Sequence, residues 1–114
     1  MIAKRVFLAS LPTIMTVFLA AAVPVAAAAA QPASVDIKIG NFSFAPQEQT
    51  VAVGTTVTWT NRDDIPHTVV STDGIFKSKV LDTDEKFSYT FAKAGTFAYF
   101  CSIHPKMTGK IVVQ

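Results

Sequence analysis

Apolar and polar residues alternate with a spacing of two through most of the chain beyond residue 34, and turn-forming residues close each alternating run. Val35, Ile37 and Ile39 precede Gly40-Asn41, Val51 and Val53 precede Gly54, and Val57 and Trp59 precede the polar run Asn61-Arg62-Asp63-Asp64. Further on, Phe87, Tyr89 and Phe91 precede Gly95, Phe97 and Tyr99 follow it, and Ile111 and Val113 follow Gly109. A period of two is that of a strand with one face buried. About seven to eight short runs of this kind, with no helical stripe longer than two turns, predict an all-β domain built as an antiparallel β-sandwich. Trp59, Phe87, Phe91 and Phe97 are its expected core aromatics. The least regular stretch runs from Ser71 to Glu85, where Phe76, Val80 and Leu81 are expected to cover the sheet as a short strand or loop.

The N-terminus follows a different pattern. Lys4 and Arg5 lead into an apolar stretch from Val6 to Leu19, and an alanine-rich close ends at Ala28-Ala29-Ala30. These are the three parts of a secretory signal, and they predict cleavage near Ala30, leaving one domain at residues 31–114. The uncharged run from Val6 to Ala30 is also long enough for a membrane anchor. Pro12, Pro24 and the small-residue tail favour cleavage, so no membrane association is expected afterwards. Lys4-Arg5-Val6-Phe7-Leu8 resembles an incomplete twin-arginine signal and leaves the export route open between that system and the general secretory one.

Composition narrows the partners. With 50% of residues hydrophobic and 16% charged, the chain is too apolar to be a disordered segment. Of 10 Lys or Arg and 8 Asp or Glu, two of the basic residues lie in the predicted signal, leaving 8 of each sign and no basic field for nucleic acid. Small exported domains commonly rely on disulfides, yet Cys101 is the chain's one cysteine, so no bridge can form within it. Nor does Cys101 suit lipid attachment, because a lipoprotein cysteine directly follows its signal.

Candidate chemistry is concentrated near the C-terminus. Beyond residue 30 there are two histidines, His67 and His104, one cysteine, Cys101, and one methionine, Met107. Three of these four share the run Cys101-Ser102-Ile103-His104-Pro105-Lys106-Met107, in which Pro105 keeps His104 out of helical geometry and so favours a loop. One thiolate, two neutral imidazoles and a weak thioether suit copper in both oxidation states. Zinc prefers four comparably strong ligands and is less well served, although Cys and two His can bind it. Taken singly, each residue has an ordinary structural reading: a buried Cys or Met as core, a lone His as a surface or capping residue.

Two stretches make the chain resemble the cupredoxins, the small blue copper proteins, and among them the amicyanins. One runs Val57-Thr58-Trp59-Thr60-Asn61-Arg62 and on to Pro66-His67. The other runs Gly95-Thr96-Phe97-Ala98-Tyr99-Phe100-Cys101 and through Gly109-Lys110-Ile111-Val112-Val113. The likeness covers residues 35–114, and the two-residue spacings in the Cys-His-Met loop are the short form found in amicyanins. It implies a cupredoxin-like antiparallel Greek-key sandwich with one type 1 copper ion on His67, Cys101, His104 and Met107. The implied activity is single-electron transport by Cu(II)/Cu(I) cycling in the periplasm, with no enzymatic reaction. Implied partners are transient redox proteins, a periplasmic dehydrogenase and a c-type cytochrome, met by a monomer. His104 becomes the expected electron portal, with Ile65, Pro66, Ile103 and Pro105 as its rim. Asp63, Asp64 or a nearby carbonyl is expected to take the outer ring N–H of His67. A copper chaperone or storage protein is the alternative, disfavoured by the single Met beyond residue 30; a copper enzyme is disfavoured by the lack of spare histidines.

The chain departs from the amicyanin pattern at Thr68, where Asn is usual, and at Lys106, where a bulky apolar residue is usual. The first is expected to alter the side-chain bond between the two ligand loops, leaving the Thr68 N–H to reach the Cys101 sulfur. The second brings a charge to an apolar docking patch. In amicyanins the exposed ligand histidine is protonated and leaves reduced copper. The resemblance therefore implies that His104 makes the midpoint potential rise as pH falls, which potentiometry from neutral to mildly acidic pH reads directly.

Overall fold

A computed structural model describes residues 33–114 together with positions 10, 12–14, 16–18 and 20. The predicted signal segment and its cleavage site therefore fall largely outside the described residues. Among the described residues there are eight strands: β1 Ser34–Gly40, β2 Ser43–Ala45, β3 Glu48–Val51, β4 Thr56–Asn61, β5 Val70–Ser71, β6 Lys86–Thr90, β7 Gly95–Phe100 and β8 Thr108–Val113. They form two four-stranded sheets, ordered β2-β1-β4-β6 and β3-β8-β7-β5. The sequence alternation maps onto their facing surfaces. Ile37, Ile39, Val57, Trp59 and Phe44 of the first sheet meet Tyr99, Ile111, Val113 and Val51 of the second, all buried. Trp59 is the hub: its ring lies 5.3 Å from Tyr99, 5.6 Å from Phe76 and 5.7 Å from Phe87, centroid to centroid.

The sandwich is all-β as expected, but its sheets are mixed rather than antiparallel throughout. β1 runs parallel to β4, and β3 runs parallel to β8. A period of two reports which face of a strand is buried and is blind to the direction of its neighbour, so the alternation could not reveal this. On the outward face of the β4–β6 pair, Thr56 bonds Thr90 and Thr58 bonds Ser88, each at 2.8 Å. Such polar cross-strand pairs hold the register on a face that water reaches.

The irregular stretch after β5 behaves as a covering loop. Phe76 and Leu81 are buried, and short bridges join Val70 to Lys77 and His67 to Leu81. Val80 differs from expectation: it is about half exposed, as is Val53, because each lies outside the strands, where alternation no longer implies a buried face. Phe87 and Phe97 are half-buried against the core rather than within it.

The parallel β1–β4 pairing decides where the candidate chemistry lies. Ile39 sits opposite Asn61, so the β1–β2 turn and the loop that follows β4 leave the sandwich at the same end. Packing limits are tightest at Gly109, opposite Tyr99 in the β7–β8 ladder, where a β-carbon would collide with the Tyr99 ring. Gly109→Ala is expected to destabilise the fold by about 1–3 kcal/mol through overpacking, read as a lower denaturant midpoint with an unchanged m value.

Candidate metal centre

The loop that carries His67 is shaped by one buried amide. At the end of β4, the Asn61 Nδ2 donates to the carbonyls of Ile65 and Leu81, both at 2.9 Å, while its Oδ1 accepts the Asp63 N–H at 2.9 Å. With all three bonds made, the fully buried side chain repays its desolvation. The loop then enters a short bridge in which the His67 N–H donates to Leu81 O and the Leu81 N–H donates back to His67 O. His67 is thereby held fully buried at the end of the sandwich.

Of the three acceptors expected for the outer His67 nitrogen, the structure selects Asp63. Nε2 of His67 lies 3.1 Å from Asp63 Oδ2. The same carboxylate accepts the Asn41 N–H at 3.1 Å and the Asp64 N–H at 2.9 Å. The His67 hydrogen bond, helped by these amides, lowers the Asp63 carboxyl to about 2. An ionised carboxylate can only accept, so it takes the Nε2–H of His67 and leaves Nδ1 facing the Cys101 sulfur.

The second loop is closed by its own backbone. The Cys101 N–H donates to Met107 O at 3.0 Å, and the Met107 N–H donates to His104 O at 2.9 Å. Cys101 and Met107 are buried and His104 is half-buried. Cys101 Sγ then stands 3.8 Å from Nδ1 of His67 and 3.8 Å from Nδ1 of His104, and the three donor atoms lie within 4.8 Å of one another. Metal bonds of about 2.3 Å to sulfur and about 2.0 Å to nitrogen, meeting at about 120°, would set sulfur and nitrogen about 3.7 Å apart, so the two sulfur–nitrogen spacings would suit one ion held by all three residues.

Thr68 keeps the two loops joined, although it is not the usual Asn. Its N–H donates to the Cys101 sulfur at 3.4 Å, and its hydroxyl lies 3.8 Å from the same atom. Its Oγ1 also accepts the Ser102 N–H at 2.7 Å and sits 2.7 Å from Ser102 Oγ. The side-chain bond between the loops is thus altered, as expected, and a hydroxyl makes it. Burial of the sulfur works to raise the thiol; the Thr68 N–H and the two imidazoles outweigh it and bring Cys101 from an ordinary 9.0 down to about 6.

Around His104 lies a shallow, largely apolar groove of about 440 Å³, lined by Phe42, Ile103, Pro105, Lys106 and Met107. Ile103 and Pro105 are rim residues as expected, Pro66 is exposed nearby in sequence to His67, and Ile65 is half-buried. Phe42 is the member that sequence reading missed. Its signal was present, since Asn41-Phe42 is a two-residue connection opening on Asn between two alternating runs, the mark of a tight hairpin.

A β-sandwich with a buried Cys and two His converging at one end defines a copper-binding class, and comparison with known proteins agrees. The model of the cupredoxin-like domain family matches residues 12–113. Amicyanin from Paracoccus denitrificans is 36% identical over 96 residues, covering 80% of this chain and 73% of that protein. Plastocyanin from Scenedesmus fuscus is 33% identical over 97 residues, covering 70% of this chain and 99% of that protein. The solved structure of a purple cupredoxin from Nitrosopumilus maritimus superposes with a TM-score of 0.67 at 34% identity, covering 70% of this chain and 99% of that one. The chain belongs to the cupredoxin-like family, and its site is of the kind that takes one type 1 copper ion.

A folded thiol lowered from 9.0 to about 6 contributes stability that is complete above the unfolded value and is lost as pH falls to about 6. In the metal-free protein, the stability advantage over Cys101→Ala is expected to be flat below that pH and to grow with pH toward 9. Denaturant titrations across the range, with ultraviolet thiolate absorption as a second readout, check this.

Proposed function

We propose that residues 31–114 form a periplasmic blue copper protein that carries single electrons, in which His67, Cys101 and His104 would be the strong metal ligands and Met107 a weaker one. The observation that carries the reading is the equal 3.8 Å spacing of the Cys101 sulfur from both Nδ1 atoms in a preformed, buried arrangement. Bound copper supplies a one-electron couple. The chain supplies the rest: Asn61 and Asp63 fix the His67 ring, Thr68 steadies the sulfur, and the packed sandwich keeps water from Cys101, His67 and Met107. Donors held in place before the metal arrives need little rearrangement when its charge changes, which favours rapid transfer.

His104, half-buried beside the apolar groove, is the portal between the site and a partner. Docking there is transient and buries less than about 1,200 Å² in total, the size class of redox encounters. Likeness to amicyanin supports a periplasmic dehydrogenase as donor and a c-type cytochrome as acceptor, with the carrier acting as a monomer. Residues 1–30 serve as a cleaved signal peptide in this reading. Burial of Cys101, His67 and Met107 argues against the ready metal exchange of a chaperone.

Adding Cu(II) to the purified domain is expected to give intense visible absorption and a narrow copper hyperfine pattern in electron paramagnetic resonance. Cys101→Ser is expected to abolish the colour and keep the fold, since a hydroxyl cannot supply the sulfur-to-copper charge transfer. A colourless parent protein with ordinary hyperfine splitting would overturn the assignment.

A further inference from the structure

The turn between β1 and β2 violates its own chemistry. Gly40 pairs with Ser43, so Asn41 and Phe42 alone make the connection, and both take positive φ, 50° and 54°. Asn tolerates this region and Gly is the usual second residue, whereas a bulky aromatic there is strained. Burial does not explain the choice, because Phe42 is 59% exposed. A strained residue persists where its surroundings over-determine it, and such positions cluster at functional sites.

Those surroundings are the two histidines. The Phe42 ring stands at 85° to the His104 ring with centroids 5.0 Å apart, and at 84° to the His67 ring at 6.4 Å. Its neighbour Asn41 donates its N–H to Asp63 Oδ2, the oxygen that also faces His67 Nε2. The turn is thus tied to the His67 side by a hydrogen bond and to the His104 side by a ring. The two imidazoles differ in their need for it. His67 is oriented by Asp63, while no side chain among the described residues hydrogen-bonds the outer nitrogen of His104.

The geometry points to Phe42 as a positioning residue for His104: its edge-on ring holds the imidazole with Nδ1 turned toward Cys101, and the strain in the turn is retained for that purpose. This rests on His67, Cys101, His104 and Met107 being the copper ligands. The hairpin becomes a clamp across both histidines, with the hydrogen bond at Asn41 and the aromatic contact at Phe42 as its two jaws.

Phe42→Gly separates this role from a merely structural one, because it relieves the backbone while removing the ring. In the metal-free protein the denaturant midpoint is expected to equal or exceed that of the parent, and nuclear magnetic resonance is expected to show the His104 ring losing its single orientation. In the copper-loaded protein, release of the metal to a chelator is expected to quicken about tenfold, the scale on which residues that orient ligands act. Phe42→Tyr, which keeps the aromatic edge, is expected to restore the parental release rate. Parental release and an unchanged His104 ring in Phe42→Gly would overturn the proposal, as would a lowered midpoint with no rescue by Phe42→Tyr. A parent protein that takes up copper without the intense visible band would overturn the ligand assignment alone, since the Phe42–His104 contact is read in the metal-free chain.

Discussion

A thiolate buried inside a protein has to be met by hydrogen-bond donors or by a cation, and that requirement organises one end of this molecule. Cys101 is fully inaccessible, yet its thiol is brought down to about 6. The Thr68 N–H reaches it directly, and two imidazoles face it at equal distance. Two of those groups are held in turn by hydrogen bonds. Thr68 is anchored by Ser102, His67 by Asp63, and the loop that carries both by the Asn61 amide. Losing any of these supports would leave a buried charge less well solvated, so site and fold are stabilised by the same bonds.

The sequence reveals the surfaces of this fold better than its connections. Alternation at Ile37-Ile39, Val57-Trp59 and Ile111-Val113 is a direct consequence of a sandwich with one wet and one dry face per sheet, and it could be read residue by residue. Strand direction leaves no such trace, which is why the parallel β1–β4 and β3–β8 pairs emerged only in three dimensions. Val53 and Val80 mark the other boundary: outside the strands an apolar residue carries no face information.

The candidate site divides in the same way. Cys101, His104 and Met107 announced themselves because a loop of seven residues concentrates them. His67 came from likeness to a family, since thirty-odd residues of intervening chain conceal that it meets Cys101. The choice of Asp63 over Asp64 depends on the loop shape that Asn61 imposes. Phe42 was missed because its role arises from a contact between a turn and a loop far along the chain, and because an exposed phenylalanine at a hairpin tip looks unremarkable without its dihedral angles. Thr68 was legible only in part: the sequence showed that the bond between the loops would change, and the fold supplies its new form, a hydroxyl bridging to Ser102.

The parallel alignment of β1 with β4 has a temporal consequence. Parallel neighbours cannot be joined by a hairpin, and the bonds that assemble the metal-binding end span 22 residues between Asn41 and Asp63 and 33 between Thr68 and Cys101. Contacts of such length form only after the intervening chain has been brought to order. The donor cluster therefore comes together only with the sandwich that carries it: its geometry belongs to the finished fold and to neither loop alone.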